Sequence, residues 1–334
     1  MTSLITSDLH LTDQPRDEYR WGLFPWLLEQ VEKYNVRNVF LLGDLTDAKD
    51  RHNARLVNRL AEGVSKIAAK CSVDIIPGNH DAVDMNHPFF AFLDEIPRVS
   101  FYQKPGSANG GEFLLLPHTK NYAEDWSDWK RWVFPTTKYI LCHQTFDGAK
   151  AENGQELSGI PPSFFKAFKG QVYSGDVHVP QKVSKNTEYV GAPYRIHFGD
   201  AFEPRVLLLR KDGARDLHFP TCTRELLVAR TMRDLQKSDV PLGTQVKVRV
   251  LLKRSEYPEW PKLRKDVQAL ARERGWDLCG GLELVALKST DREVERAETK
   301  GTSSPEDALA NYADAKKLPK ELRGVGLELL KEAQ

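Results

Sequence analysis

The amino-acid sequence predicts an α/β protein built as a four-layer α/β/β/α sandwich, followed by a small β-α-β module and C-terminal helices. Two patterns favour this fold class. Between residues 2 and 76, short apolar runs of strand length alternate with amphipathic segments of helical spacing. Between about residues 98 and 219, strand-like runs dominate and helical segments are shorter. The first pattern indicates parallel strands with right-handed crossovers, and the second indicates another sheet packed on the first.

The N-terminal part supplies three strands and two helices in alternation. Apolar runs at 2–7, 39–42 and 73–76 are the strands, and each ends at a polar residue or a glycine-containing turn. Residues 17–34 and 53–69 carry apolar side chains at helical spacing on one face. In parallel sheets of this kind, ligands bind beyond the carboxyl ends of the strands.

The middle of the chain supplies the second sheet. Its strand-like runs lie at 113–116, 138–142, 171–174, 188–190 and 206–209. Around Thr221 to Glu225 the chain leaves this core. We therefore predict a core domain over residues 1–220.

A compact β-α-β module is predicted over residues 221–289. Residues 246–252 and 282–287 read as its strands, and residues 259–274 as its helix. From Arg224 to Trp276 there are 13 Lys and Arg residues against 7 Asp and Glu, a net charge of +6. This patch is either a phosphate-facing surface or a solvated helix of mixed charge.

The last part of the chain is predicted to be a linker, residues 290–303, followed by helices in residues 304–334. The linker is polar and highly charged. Ser304 suits a helix N-cap and Pro305 suits the first helical turn. These helices either dock a partner or fold back on their own domain.

The composition is that of a soluble globular protein, with 334 residues, 40% hydrophobic and 28% charged. No apolar run approaches the roughly 20 residues of a membrane-spanning helix, and the first strand starts too early for a signal peptide to precede it. The four cysteines, Cys71, Cys142, Cys222 and Cys279, have no paired spacing. We expect a cytoplasmic protein with no membrane partner and no structural zinc site.

Five short motifs of metal-binding residue types follow strand-like runs. They are Asp8-Leu9-His10, Gly43-Asp44, Gly78-Asn79-His80-Asp81, Cys142-His143 and Gly175-Asp176-Val177-His178. Taken singly, Asp44 could be a helix N-cap, Asn79 could cap a turn, and His143 could be a packing residue. Because all five lie at strand ends, together they predict one metal centre.

The oxygen and imidazole groups of these motifs suit two divalent cations. Phosphoester hydrolysis requires stabilisation of negative charge and a source of hydroxide near neutral pH, and two cations about 3.5–4 Å apart supply both. Ions such as Mn²⁺ prefer this mixture of ligands to thiolates. The motifs therefore predict a two-metal site that hydrolyses phosphoesters.

The motif set resembles that of calcineurin-like metallophosphoesterases, which is D-x-H, G-D, G-N-H-[DE], a lone H and G-H-x-H. Residues 43–47, 77–81, and 189–193 followed by 198–200 look like the SbcD branch, whose members are nuclease subunits of DNA double-strand-break repair. The resemblance covers about residues 1–210. More loosely, it implies that the β-α-β module is a capping domain and that the C-terminal helices bind an SbcC-like coiled-coil ATPase.

The resemblance also implies roles for individual residues. It implies a first ion held by Asp8, His10, Asp44 and His178, and a second held by Asp44 as a bridge with Asn79, His143 and Asp176. His80 is implied as the catalytic residue, acting as general acid or as transition-state stabiliser at the leaving oxygen. The implied cofactors are two divalent ions, Mn²⁺ or Mg²⁺.

Two positions depart from the family pattern. The family usually has histidine where this chain has Asp176. A carboxylate there either shifts the preference toward harder ions or weakens the second site. Asp47 stands where some nuclease relatives have histidine, and the sequence assigns it no role.

Three functions follow from the sequence. The first is a Mn²⁺-dependent DNA nuclease, exonuclease or endonuclease, which acts with the ATPase partner in DNA repair, recombination or end processing. For this function the resemblance also implies a homodimer. The second is a phosphodiesterase or pyrophosphatase acting on a small nucleotide. The third is a DNA-end-binding subunit whose catalysis is weakened at Asp176.

Overall fold

The computed structural model describes residues 2–287. Residues up to Leu251 and Pro258–Val285 belong to one compact unit, and the architecture below is that of this unit. The strands of the described residues are β1 (Ser3–Thr6), β2 (Asn38–Leu42), β3 (Ser72–Ile76), β4 (Val99–Phe101), β5 (Gly106–Ala108), β6 (Phe113–Leu116), β7 (Tyr139–His143), β8 (Gln171–Gly175), β9 (Gln181–Lys182), β10 (Thr187–Tyr189), β11 (Val206–Arg210), β12 (Gly213–Leu217), β13 (Arg224–Ala229), β14 (Gln245–Leu252) and β15 (Leu282–Ala286).

The α-helices are fewer than the strands. They are α1 (Leu23–Tyr34), α2 (Ala54–Ala68), α3 (Tyr122–Asp125), α4 (Met232–Gln236) and α5 (Trp260–Arg274). Short 3₁₀ helices lie at Pro15–Gly22, Phe89–Glu95, Asn109–Gly111, Trp129–Trp132, Pro162–Phe165, Arg254–Glu259 and Leu278–Gly280. Within residues 2–287, no helix has both the length and the apolar character needed to cross a membrane.

The first sheet has six strands in the order β12-β11-β1-β2-β3-β4. β1 to β4 pair in parallel, whereas β11 and β12 add antiparallel strands at one edge. The prediction that the run at 206–209 belongs to the second sheet is wrong, because this run forms β11 and pairs with β1 of the first sheet. All residues of β1 and β2 are buried because other layers cover both faces of the sheet. The predicted alternation of strands and helices in the N-terminal part is confirmed.

The second sheet, in the order β5-β6-β7-β8-β10-β9, packs face to face on the first. Its central strands β6, β7, β8 and β10 are parallel. Phe40 and Ile76 of the first sheet lie in one buried cluster with Phe113 and Leu141 of the second. The rings of Phe40 and Phe113 are 4.5 Å apart between centroids. The two sheets therefore share one apolar layer.

Helices cover the outer faces of both sheets. On the first sheet, α1 and α2 contribute Leu27 and Leu60 to the core. On the second, Trp126, Trp129 and Phe165 form the outer core from one-turn helices and loops. The predicted α/β fold of two stacked sheets is confirmed, and its fourth layer consists of short helical turns.

One predicted helix is divided in two. Residues 17–34 were expected to form a single helix, but a 3₁₀ helix over Pro15–Gly22 precedes α1. In the tighter 3₁₀ turn, residues three apart lie above one another. Asp17 Oδ1 is accordingly 3.1 Å from Arg20 Nη2, and both side chains are buried.

The predicted β-α-β module contains more structure than expected. Its sheet has the order β13-β14-β15, and β13 pairs in parallel with β14. The sequence prediction lacked both β13 and the short helix α4. The boundaries between the predicted domains stay predictions, and the predicted linker (290–303) and C-terminal helices (304–334) lie outside the described residues.

Arg224, at the start of β13, anchors this module to the first sheet's loops. Its guanidinium donates hydrogen bonds to the carboxylate of Asp17 and to the backbone oxygens of Ile196 and Arg16. Its Nε donates to Gln245 Oε1 over 2.9 Å. The side chain is almost fully buried, so these partners replace all of its contact with water.

We expect Arg224→Met to lower the free energy of unfolding by about 3 kcal/mol, because it leaves buried acceptors without their donor. Urea denaturation measures this change. Arg131→Met is the matched control, since Arg131 forms a 2.9 Å ion pair with Asp128 at the exposed surface and exposed pairs contribute about 0–1 kcal/mol. Equal effects of the two substitutions would contradict an anchoring role for Arg224.

Candidate metal centre

The structure brings all eight predicted site residues to one rim of the two sheets. Asp8 and His10 follow β1, Asp44 follows β2, Asn79 and His80 follow β3, His143 ends β7, and Asp176 and His178 follow β8. These are the carboxyl ends of parallel strands, where α/β sheets bind their ligands. Most of the cluster is buried: Asp8 and His143 are 0% exposed and Asp44 is 2% exposed.

The backbone at this rim adopts conformations that L-residues seldom occupy. Asp8, His10, Asp44 and Asp176 have positive φ angles, of 56°, 41°, 53° and 89° respectively. Such strained residues persist only where surrounding contacts hold them, and they cluster at functional sites. Contacts within the site therefore hold these four residues in their strained backbone conformations.

Three histidines turn the same ring nitrogen toward the cluster, because an acceptor lies beside the other nitrogen. His143 Nδ1 is 2.6 Å from the backbone oxygen of Leu42. His10 Nδ1 is 3.2 Å from Asp47 Oδ1, and His178 Nδ1 is 2.5 Å from Glu152 Oε1. A neutral imidazole that donates from Nδ1 has its lone pair on Nε2.

These Nε2 atoms face other acceptors at short range. The Nε2 atoms of His10 and His178 are 3.1 Å apart, and His143 Nε2 is 3.0 Å from Asn79 Oδ1. Opposed lone pairs repel one another unless a cation lies among them or a proton or a rotated amide intervenes. The oxygen and imidazole set suits divalent ions such as Mn²⁺ or Mg²⁺. The residues present therefore fit a metal centre.

The predicted ligands form two overlapping groups, and a third group joins His10 with Asp47 and His80. The ligand atoms of Asp8, His10 and His178 lie within 4.8 Å of one another, as do those of Asp8, Asp44 and His143. Asp44 reaches both groups, with Oδ2 3.5 Å from His10 Nε2 and Oδ1 3.4 Å from His143 Nε2. This position suits the bridging role predicted for Asp44.

The carboxylates of the cluster favour positive charge at its centre. Burial lowers the pKa of His143, but Asp44, Asp8 and Asp176 outweigh burial and raise it to about 9. Burial likewise opposes a proton on His178, yet Glu152 and Asp8 raise its pKa to about 9. Divalent cations compete with protons for such ligands, so the same field that attracts protons attracts metal ions.

His80 occupies the exposed side of the cluster. Its backbone N–H donates to Asp44 Oδ1 over 2.8 Å, which fixes its position relative to the predicted ligands. Its ring centroid is 5.0 Å from that of His10, and its side chain is 34% exposed. Because the neighbouring histidines are more deeply buried, His80 is the imidazole that a bound substrate can reach.

Asp176 lies at the edge of the second group. Its Oδ1 is 3.8 Å from His143 Nε2, while Oδ2 accepts a hydrogen bond from Thr145 Oγ1. Its backbone N–H donates to Asp8 Oδ1 over 3.1 Å. One oxygen of Asp176 is therefore directed to the cluster, and the other is held by the protein.

Sequence reasoning missed three carboxylates that support the site. Asp47 and Glu152 contact the outer nitrogens of His10 and His178, and hydrogen bonds to these histidines lower the pKa of each carboxyl to about 2. Asp81 accepts hydrogen bonds from the backbone N–H groups of Leu45 and Gly78, both over 2.8 Å. It thereby joins the loop after β2 to the loop after β3.

Asp81 stands inside a motif, so its presence was visible in the sequence although its role was not. Asp47 lies three residues beyond Asp44, in a loop whose path no sequence pattern specifies. No sequence pattern indicates a role for Glu152, because it lies in the irregular segment between β7 and β8. His52 and His87 lie outside the ligand groups found among the described residues.

The comparison with protein families agrees with this geometry. Residues 1–180 match the sequence profile of the calcineurin-like phosphoesterases (Metallophos). The chain therefore belongs to the calcineurin-like phosphoesterase family, whose members are metal-dependent phosphoesterases. Among solved structures, the chain is similar to one described as a novel archaeal phosphodiesterase, with 11% sequence identity and a TM-score of 0.37, over 66% of this chain and 100% of that chain. No match was found among curated proteins.

We expect Glu152→Gln to weaken Mn²⁺ binding by roughly 10- to 100-fold, because the charged partner that orients His178 is lost. Isothermal titration calorimetry with MnCl₂ measures the affinity. Glu156→Gln is the matched control, since Glu156 lies in the same loop and is exposed. Unchanged Mn²⁺ affinity in Glu152→Gln would show that this carboxylate does not support the centre.

Proposed function

We propose that this protein is a Mn²⁺-dependent DNA nuclease that hydrolyses phosphodiester bonds. The observation that carries the proposal is the convergence of imidazole Nε2 atoms and carboxylates beside the half-buried His80. Two divalent ions bound there would polarise the phosphoryl oxygens and lower the pKa of a bound water. The ligands would be Asp8, His10, Asp44, Asn79, His143, Asp176 and His178.

The chain's own residues then supply orientation and proton transfer. His80 donates a proton to the leaving oxygen or stabilises its developing charge. The backbone oxygen of Asp47 lies 3.4 Å from His80 Nδ1 and can accept a hydrogen bond from it. That contact turns Nε2 of His80 away from Asp47 and orients the ring. Asp44 holds the main chain of His80, so the ligand cluster and the catalytic residue are fixed together.

The capping module supports a polyanionic substrate such as DNA. A cavity of about 360 Å³ lies where the module meets the core, and Arg16, His197, Lys247 and Arg249 are among its lining residues. Asp47, which contacts His10, lines the same cavity. Lys247 and Arg249 share one carboxylate, that of Glu283, over 2.6 and 2.8 Å. The three side chains together keep a net positive charge, which favours a substrate with more than one phosphate. A small monoester would not need this surface.

A phosphodiesterase or pyrophosphatase acting on a small nucleotide is the second candidate. The family match supports phosphoester hydrolysis equally well for either substrate. Linear DNA and bis(p-nitrophenyl) phosphate, each incubated with protein and Mn²⁺, separate the two. Hydrolysis of the reporter without any cleavage of DNA would favour the small-substrate function.

We further propose that the protein acts in the cytoplasm as a homodimer with an SbcC-like ATPase, which residues 304–334 bind. The resemblance to the SbcD branch supports this proposal. Co-purification of such an ATPase with the full chain, but not with residues 1–303, tests it. Retention of the ATPase by the shortened chain would reject the C-terminal segment as the docking element.

We expect His80→Ala to reduce Mn²⁺-dependent cleavage of linear DNA by roughly 10²- to 10⁴-fold, the usual contribution of a general acid. DNA binding, measured by fluorescence anisotropy, should persist. His87→Ala is the matched control, because His87 is an exposed histidine in the same loop region, paired only with Asp84 at 2.9 Å. Full cleavage by His80→Ala, or loss of cleavage in both variants, would contradict the role of His80.

A further inference from the structure

A second cavity opens beside the metal centre and takes no part in the arrangement described so far. Its volume is about 680 Å³. It is lined by residues 83–86, 103–105 and 117–121, together with Trp126 and Trp132, and we call it the tryptophan pocket. The first and third of these segments follow β3 and β6, so the pocket lies on the rim that carries the predicted ligands.

His118 forms the wall between the tryptophan pocket and the metal centre. Its ring is 5.9 Å from that of His143 between centroids, and its Nδ1 is 3.3 Å from the backbone oxygen of His143. Its backbone N–H donates to the oxygen of Pro77 over 3.1 Å. One side chain therefore separates the pocket from the second ligand group. The pocket and that ligand group are therefore immediate neighbours on the rim.

Trp132 provides a firm aromatic surface in this pocket. It is half-buried and packs against the outer core of the second sheet, whose members include Trp126 and Phe165. Trp126 is 1% exposed, so it backs the pocket and leaves Trp132 as the accessible indole. Because Trp132 is already held by packing, a ring stacked on it would cost little conformational entropy.

Amide side chains complete the lining with hydrogen-bonding groups. Asn86 donates from Nδ2 to Asp84 Oδ1 over 3.2 Å, and Asn121 donates from Nδ2 to Glu124 Oε2 over 2.8 Å. Both amide oxygens accept no hydrogen bond from the described residues. Gln103 adds a third, exposed amide. Amides offer both donors and acceptors, as the edges of nucleobases require.

Some charged side chains around the pocket already have partners, and others do not. Lys104 and Lys120 are exposed lining residues, and neither forms an ion pair with any described residue. By contrast, Asp84 is 2.9 Å from His87 Nδ1, and Asp125 accepts a hydrogen bond from Thr119 Oγ1. The lysines therefore remain available to a phosphate group at the mouth of the pocket.

We propose that the tryptophan pocket binds the nucleobase of the nucleotide next to the cleaved phosphodiester, in a single-stranded or unpaired stretch of nucleic acid. An aromatic face, amide groups and nearby lysines are what proteins use to bind unpaired bases. A base within a duplex cannot stack on Trp132 unless it leaves its neighbours. The inference rests on the proposed nuclease function and specifies the form of its substrate.

The test compares two phosphodiesters that share a leaving group. Thymidine 5′-(p-nitrophenyl phosphate) carries a base, whereas bis(p-nitrophenyl) phosphate does not. In Trp132→Ala, the ratio of kcat/KM for the thymidine ester to that for the bis ester should fall about tenfold, since stacking on an aromatic side chain is lost. Trp132→Phe should keep most of the ratio. Trp26→Ala, which removes another half-buried tryptophan, should leave the ratio as in the unaltered protein.

A ratio that does not change in Trp132→Ala would overturn the proposal, whether both rates persist or both fall equally. Binding of an oligothymidylate to His80→Ala, with and without Trp132→Ala, keeps the test separate from catalysis. A clear loss of oligothymidylate affinity on removal of Trp132 would support the pocket even if no ester were hydrolysed. Absence of hydrolysis by the unaltered protein with Mn²⁺ would instead contradict the proposed function.

Discussion

The whole centre depends on the close approach of three strand-end loops at Gly43, Gly78 and Gly175. A Cβ atom on Gly43 would lie 2.7 Å from the backbone of Gly78, and one on Gly175 would lie 2.5 Å from the oxygen of Leu42. A Cβ atom on Gly78 would overlap the carboxylate of Asp44. Since no side chain fits at these points, the loops can bring their carboxylates and imidazoles into one space.

This crowding has a cost that the structure offsets locally. A non-glycine residue in a sparsely populated backbone region costs about 1–3 kcal/mol, and both Asp8 and Asp44 have positive φ angles. Burial raises the pKa of Asp44 to about 6, which shows how unfavourable its bare charge is there. Hydrogen bonds from the main chain, such as that of His80 to Asp44, hold the arrangement. Cations in the cluster would remove the remaining repulsion among its acceptors.

Most of the sheet and of the inner cluster could be predicted from the sequence. The strands before Asp8, Asp44 and Asn79 are short apolar runs, and the parallel topology places their ends on one rim. The alternation of strand-like and helical segments in the sequence therefore predicted both the fold and the position of the site. The parallel topology fixes the positions of the residues in the sequence motifs, so these residues could be predicted.

The supporting groups could not be predicted, because their positions depend on loop paths rather than on periodicity. Asp47 and Glu152 meet histidines that lie 37 and 26 positions away in sequence, and irregular backbone brings each pair together. The strand β13 was missed because its run of apolar residues is short and is flanked by Arg224 and Glu225. Arg224 is nevertheless buried, since Asp17 and backbone oxygens surround its charge.

The central claim is that the opposed Nε2 and oxygen atoms of the rim hold two divalent cations. Anomalous X-ray diffraction from crystals grown with MnCl₂ tests it most directly, because it locates manganese independently of the surrounding density. We expect two manganese peaks, one among Asp8, His10 and His178 and one beside Asn79 and His143, with Asp44 between them. Crystals grown in excess manganese with no anomalous peak at this rim would contradict the account.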